Sequence, residues 1–419
     1  MDICEFKKDL AKLVKINSVQ DAHCENAPFG KNVALVLDEF LSVARSLGFE
    51  TVNYDGYAGE VVFGEGKDFG VLCHLDIVPS GKPSDWNTDP FVLTEKDGKL
   101  FGRGVLDDKA PALLILYALA DLKNEKFVPK RKIRLIVGCN EESGWECIAK
   151  LKELNALPEE GFSPDADFPV IYAEKGIAHV KFFFDCDEKL KEISGGQASN
   201  MVCDKVEAVC PVDLNLAKAC SLSVVNDKII SVGKTAHGSL PHKGVNAFEK
   251  ILPYLEKSSL VSYEIREKLF ENSTGILRFK GDDGQLTFSP NVIGKENGKL
   301  TVIVDVRYPS LTDFSSIEKE FEKIAPYQIL SHQKGLNVGK EDELVKTLSS
   351  VFNEVTLSDA QPIAIGGGTY ARALKKGVAF GPVFADEDAV CHEPNEYMKI
   401  EDLLKAYEIY KLAIKRVAG

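Results

Sequence analysis

At 419 residues the chain is longer than one hydrophobic core usually serves, so two domains are expected. Its 44% hydrophobic and 27% charged residues are an ordinary globular balance, and no run approaches the ~20 apolar residues of a membrane span. A formal net charge of −13 argues against a nucleic-acid partner or an anionic membrane surface, both of which call for a basic patch.

The opening Met1-Asp2-Ile3-Cys4-Glu5-Phe6-Lys7-Lys8 lacks the apolar core of an export signal. The ten cysteines are scattered without a C-x-x-C pair, which fits reduced thiols and a cytoplasmic location. Residues 3–15 place Phe6, Leu10, Leu13 and Val14 at helical spacing. Residues 32–47 repeat the pattern and stop at Gly48, a helix C-cap. Strand-like pieces at 51–54 and 61–63 lead into Val71-Leu72-Cys73-His74-Leu75-Asp76-Ile77-Val78-Pro79. Residues i and i+2 of a strand share a side, so His74 and Asp76 would face one way. A carboxylate behind an imidazole suits metal ligation; a buried, hydrogen-bonded histidine is the alternative. Asp107 and Asp108 then precede an apolar helix over 110–122, where the helix dipole favours anions. Capping needs one of them and leaves a carboxylate for other work. The strand at 132–137 runs into Glu141-Glu142, two anions that repel unless something neutralises one. Pro164-Asp165-Ala166-Asp167-Phe168-Pro169 precedes a strand at 170–173. Open α/β sheets bind ligands beyond the carboxyl ends of their strands, so these polar residues should share one edge.

From about residue 182 the pattern becomes alternating strands with two helices, including a glycine-rich turn around His237 and a strand over 300–306 that leads to Arg307. Residues 339–419 return to the first pattern through a helix at 341–352, the turn Gly366-Gly367-Gly368-Thr369-Tyr370 and the loop Cys391-His392-Glu393-Pro394-Asn395-Glu396. The expected fold is α/β: a twisted, mostly parallel sheet flanked by helices, formed by residues 1–181 and 339–419, with an α+β domain inserted at 182–338.

His74, Asp107, Glu142, Asp165 and His392 form a two-metal set in which one aspartate can bridge two divalent ions about 3.5–4 Å apart. Such N/O ligation suits Zn²⁺, with Mn²⁺ or Co²⁺ as alternatives. The chain resembles the PepV-like dipeptidases, a branch of the aminoacylase-type metallopeptidases. The resemblance is carried by His74-x-Asp76 with Val78-Pro79, Trp86 with Asp89-Pro90-Phe91, Gly102-Arg103-Gly104 with Asp107-Asp108-Lys109, and Glu141-Glu142-Ser143-Gly144. Pro164-Asp165 with Phe168-Pro169, His237-Gly238, Arg307-Tyr308-Pro309, Gly366-Gly367-Gly368-Thr369-Tyr370 and His392 with Asn395-Glu396 complete the ordered set.

The resemblance implies Asp107 as bridging ligand, His74 and Asp165 on one ion, and Glu142 and His392 on the other. It implies Glu141 as general base, Asp76 as the partner orienting His74, and a cis peptide between Asp107 and Asp108. Asp167 is the weaker ligand candidate of its motif; an aspartate at 165 resembles the branch that recognises a free N-terminal amine. The inserted domain would be a lid whose His237 steadies the oxyanion. Asn200, Arg307 and the backbone of Gly367, Gly368 and Thr369 would take the substrate's C-terminal carboxylate. Taken alone, Arg307 reads equally as a surface salt bridge and the glycines as a tight turn. The implied activity is hydrolysis of dipeptides or other short peptides, by a monomer, with a homodimer as the alternative. An N-acyl amino acid deacylase or desuccinylase, or a non-catalytic metal- or peptide-binding relative, are the rival readings.

Overall fold

A computed structural model describes residues 1–385, 387 and 390–419 of the chain. The chain divides into two compact units: Met1–Tyr172 with Val338–Ile363 and Gly368–Gly419, and Ala173–Asn337 with Ala364–Gly367.

The first unit is built on strands that begin with charged residues and continue into largely apolar stretches buried on both faces. Arg131–Gly138, Lys67–His74, Glu160–Ser163 and Lys376–Ala379 lie side by side in that order, all parallel. Ala58–Phe63 and Thr51–Tyr54 extend the Arg131–Gly138 edge antiparallel, so the sheet is mixed around a parallel centre. Glycine is required where strands approach closely: a Cβ on Gly161 would lie 2.1 Å from the carbonyl oxygen of Gly70. The helix Lys109–Asn124 is apolar on almost every side and is correspondingly buried nearly all round. It packs against Lys67–His74 and against the long C-terminal helix Ile400–Ala418, whose buried Leu403, Ala406, Tyr407, Tyr410, Ala413 and Ile414 recur at helical spacing.

The second unit is an eight-stranded antiparallel sheet in the order Ser223–Val225, Lys228–Val232, Lys205–Val209, Glu192–Gly195, Thr287–Glu296, Lys299–Tyr308, Gly176–Asp185, Tyr327–Gln333. Alternate residues of these strands, among them Val180, Phe182, Val302 and Val304, form one core with Phe248 and Ile251 of helix Ala247–Lys257 and Phe321 of helix Phe314–Ile324. The change of character expected at residue 182 falls inside the strand Gly176–Asp185, and the units part between Tyr172 and Ala173 instead. The glycine turn is divided too. Ala364–Gly367 belongs with the second unit because Ile365 O accepts from Lys175 N at 3.0 Å and Gly366 O from Arg307 Nη1 at 2.9 Å. Among the described residues no helix is long and apolar enough to cross a membrane.

Candidate metal centre

The parallel register sets His74 beside Gly138, so the loops leaving these two central strands start together. Asp76 fastens them. Its Oδ1 accepts from Glu141 N and its Oδ2 from Glu142 N, each at 3.0 Å, which holds the adjacent glutamates in place. His74 Nδ1 lies 3.0 Å from the main-chain oxygen of Asp76 and 3.5 Å from its carboxylate. Asp76 thus faces the imidazole with both its main-chain oxygen and its carboxylate, and the carboxylate also holds the glutamate turn. Gly138 leaves room for Tyr370, whose ring stands edge-on to His74 at 6.2 Å between centroids.

Asp107 lies just before the helix Lys109–Asn124, and the Asp107–Asp108 peptide is cis, as the resemblance implies. Neither aspartate caps that helix. The N-cap residue Asp108 makes no capping bond; its Oδ2 accepts from His74 N at 3.0 Å, while Oδ1 is buried with no hydrogen-bond partner. Asp107 is shared between two imidazoles: Oδ1 is 2.8 Å from His74 Nε2 and Oδ2 is 2.9 Å from His392 Nε2. His392 Nε2 is also 3.1 Å from Glu142 Oε1, and Asp165 Oδ2 is 3.8 Å from His74 Nε2. Asp165, rather than Asp167, is the member of its motif that reaches the histidine. One donor atom from each of His74, Asp107 and Glu142 lies within 4.8 Å of the others, and so do those of His74, Glu141 and Asp165. Asp107, Glu141, Glu142, Asp165, Asp167 and His392 line one cavity of about 220 Å³, along with Gly368. A larger recess of about 730 Å³, in the second unit around Phe183, Lys268 and Tyr327, has no histidine or cysteine in its wall and offers no comparable donor set.

The charges fit divalent cations. Burial first, then the neighbouring carboxylates, push Glu141 up to about 8 against the partial relief from His74. Burial and the charge of Asp107 likewise raise Asp165 well above the usual carboxylate range. Burial alone would lower His392, but Asp107 and Glu142 hold it at about 11. Protons on the imidazoles thus supply the positive charge that these crowded carboxylates demand, and two imidazoles among hard oxygen donors can take the same charge from metal ions.

The loop carrying Asp107 is held by Glu396, a residue given no task by the sequence reading. Glu396 Oε2 accepts from Arg103 Nη1 at 2.7 Å and Gly104 N at 3.1 Å; Oε1 accepts from Leu106 N at 2.8 Å and Asp107 N at 3.3 Å. Both members of the Arg103–Glu396 pair are fully buried. Their membership of two separate motifs was the available signal; only the fold shows that they meet.

In the second unit, Asn200 and His237 lie on loops that meet at an isolated bridge, and Arg307 lies in the strand Lys299–Tyr308. Met201 and His237 form a bridge, Gly238 N donates to Asn200 O at 2.7 Å, and His237 Nδ1 is 2.7 Å from Ser239 Oγ. Arg307 is buried, which removes the surface salt-bridge reading. Its Nε and Nη2 grip Asp305 at 2.6 and 2.9 Å while Nη1 reaches Gly366 O. In the first unit, Thr369 Oγ1 accepts from Ala371 N at 3.2 Å.

Residues 70–416 match the model of Peptidase family M20/M25/M40. The chain is 32% identical over 446 residues to the Beta-Ala-Xaa dipeptidase of Lactobacillus delbrueckii subsp. lactis, covering 97% of this chain and 94% of that protein. Among solved structures it resembles human carnosine dipeptidase 1, with a TM-score of 0.61 at 15% identity over 99% of this chain and 96% of that one. It also resembles the Bacillus subtilis YXEP protein, a dinuclear metal binding peptidase, with a TM-score of 0.56 at 11% identity over 99% of both chains. The fold is thus that of a catalytic domain with a lid domain.

Proposed function

The chain belongs to Peptidase family M20/M25/M40 and is a metallopeptidase, and from that premise we propose that it is a dipeptidase acting on short peptides with a free N-terminus. The observation that carries the reading is the sharing of Asp107 between His74 and His392, with Glu141 fixed beside them by Asp76. His74, Asp107 and Asp165 would hold one divalent ion, and Asp107, Glu142 and His392 a second, with Zn²⁺ first and Mn²⁺ or Co²⁺ as alternatives. When bound, two such ions supply the charge that acidifies a water molecule and polarises a carbonyl group.

Glu141 acts as general base, taking a proton from the attacking water and returning it to the leaving amine. A positioned base contributes about 10²–10⁴-fold, or about 3–5 kcal/mol. His237 donates a hydrogen bond to the developing oxyanion, and Asn200, Arg307 and the backbone of Gly367, Gly368 and Thr369 take the substrate's C-terminal carboxylate. The rigid pairing of Arg307 with Asp305 supports this, since it fixes the guanidinium plane and leaves two of its five N–H groups for a ligand. The ten cysteines are all free, which supports a reducing, cytoplasmic setting. The monomer is the favoured form, since 275–291 resembles the enlarged lid segment of the monomeric dipeptidases; the lid is short for that type, and a homodimer whose second copy supplies the lid histidine is the alternative.

The test joins metal analysis to turnover. The zinc-loaded chain should hydrolyse Ala-Ala far faster than N-acetylalanine, and Glu141→Ala should keep its metal while losing at least about 10²-fold in kcat. Preference for N-acetylalanine would turn the assignment to a deacylase, and wild-type turnover in Glu141→Ala would remove that residue from the mechanism.

A further inference from the structure

The carboxylates lining the 220 Å³ cavity are not equivalent. Asp107 and Glu142 are paired with histidines, and Glu141 and Asp165 each bring a donor atom within 4.8 Å of the His74 ring. Asp167 has none of this: among the described residues no group donates a hydrogen bond to its carboxylate or forms an ion pair with it. Its backbone is nevertheless firmly held. The short strand Ala166–Asp167 pairs parallel with Pro382–Val383, Phe168 N donates to Val383 O at 2.7 Å, and Gly381 N donates to Asp167 O at 3.2 Å. Asp165 and Asp167 both line the cavity.

Among the described residues, five carboxylates line the cavity: Asp107, Glu141, Glu142, Asp165 and Asp167. The first four belong to the candidate donor groups with His74, and Asp167 belongs to neither group. No lysine or arginine is among the described residues lining the cavity, so an ammonium group entering it is the counter-charge available to Asp167. A partly buried carboxylate without a partner costs free energy that an entering ammonium group recovers.

We propose that Asp167 anchors the ammonium group of the substrate's first residue and thereby sets the preference for a free N-terminus. This rests on the dipeptidase reading. It also gives Asp167 a task different from metal ligation.

The experiment compares Ala-Ala with N-propionylalanine, which has the same shape without the amino group, in the wild type, Asp167→Asn and Asp167→Ala. Zinc content and the melting temperature of the metal-free chain are measured alongside. A charge-assisted hydrogen bond is worth ~1.5–3 kcal/mol, so the ratio of kcat/KM between the two substrates should fall about 10- to 100-fold in both variants, mainly through KM for Ala-Ala. Zinc content and melting should stay at wild-type values. An unchanged ratio overturns the assignment, and so does loss of zinc from both variants, which would make Asp167 part of the metal site. If the wild type cleaves neither substrate, the dipeptidase reading itself falls and takes this inference with it; cleavage by the wild type with an unchanged ratio in the variants refutes the inference alone.

Discussion

Removing the Glu396 carboxylate should loosen the Asp107 loop and destabilise the first unit. In Glu396→Ala the Arg103 guanidinium stays buried without its anion, and Gly104, Leu106 and Asp107 lose the acceptor for their N–H groups. Breaking a buried ion pair from one side costs ~3–5 kcal/mol, against a total stability of ~5–15 kcal/mol. The pair and the N–H groups can be separated. Replacing both partners by methionine removes the stranded charge, and such apolar exchanges are often near neutral. The loop N–H groups would still lack an acceptor, at ~1–3 kcal/mol each if they stay buried. The double variant should therefore recover part of the loss but not all of it. The chain has two tryptophans, Trp86 and Trp145, and both lie in the first unit, with Arg103 stacked 5.3 Å from the Trp86 ring. Urea denaturation followed by tryptophan fluorescence thus reports the unit concerned. Zinc titration of the folded variant should show weaker uptake, because Asp107 is no longer held. A Glu396→Ala chain within about 0.5 kcal/mol of wild type, binding zinc equally well, would refute the clamp.

Asp107→Ala should reduce zinc uptake at both positions, since the residue faces both histidines, whereas Glu142→Ala should spare the His74 position. Dialysis followed by metal analysis distinguishes the two patterns, and equal losses would argue against a shared aspartate. Gly161→Ala should cost ~1–3 kcal/mol or more in urea denaturation, because its Cβ meets the main-chain oxygen of Gly70 at 2.1 Å and neither strand can yield without disturbing the parallel register. A chain of wild-type stability would contradict that close approach.

The residues of the candidate metal centre were legible because their chemistry is written into short motifs at strand ends. Histidine, aspartate and paired glutamates are unusual closures for apolar β-strands, and their order along the chain carried the family resemblance. Partnerships were less legible. Asp76 reads as a support for His74 from spacing alone, and beside the imidazole its carboxylate also holds the Glu141–Glu142 turn, because the neighbouring parallel strand brings those N–H groups within 3.0 Å. Asp108 reads as a helix cap but is spent on His74 N. Arg307 reads equally well as a surface charge and proves buried against Asp305.

The sequence by itself determined the element types, the α/β class and the donor set, since these depend on periodicity and side-chain chemistry within a few residues. Only the tertiary structure decided which donors share Asp107, where the units part, that Arg103 and Glu396 clamp one loop, and that Asp167 stands unpaired among the described residues. Those outcomes depend on strand order and on contacts across hundreds of residues, and no local pattern encodes the distance between groups that meet only when the chain is folded.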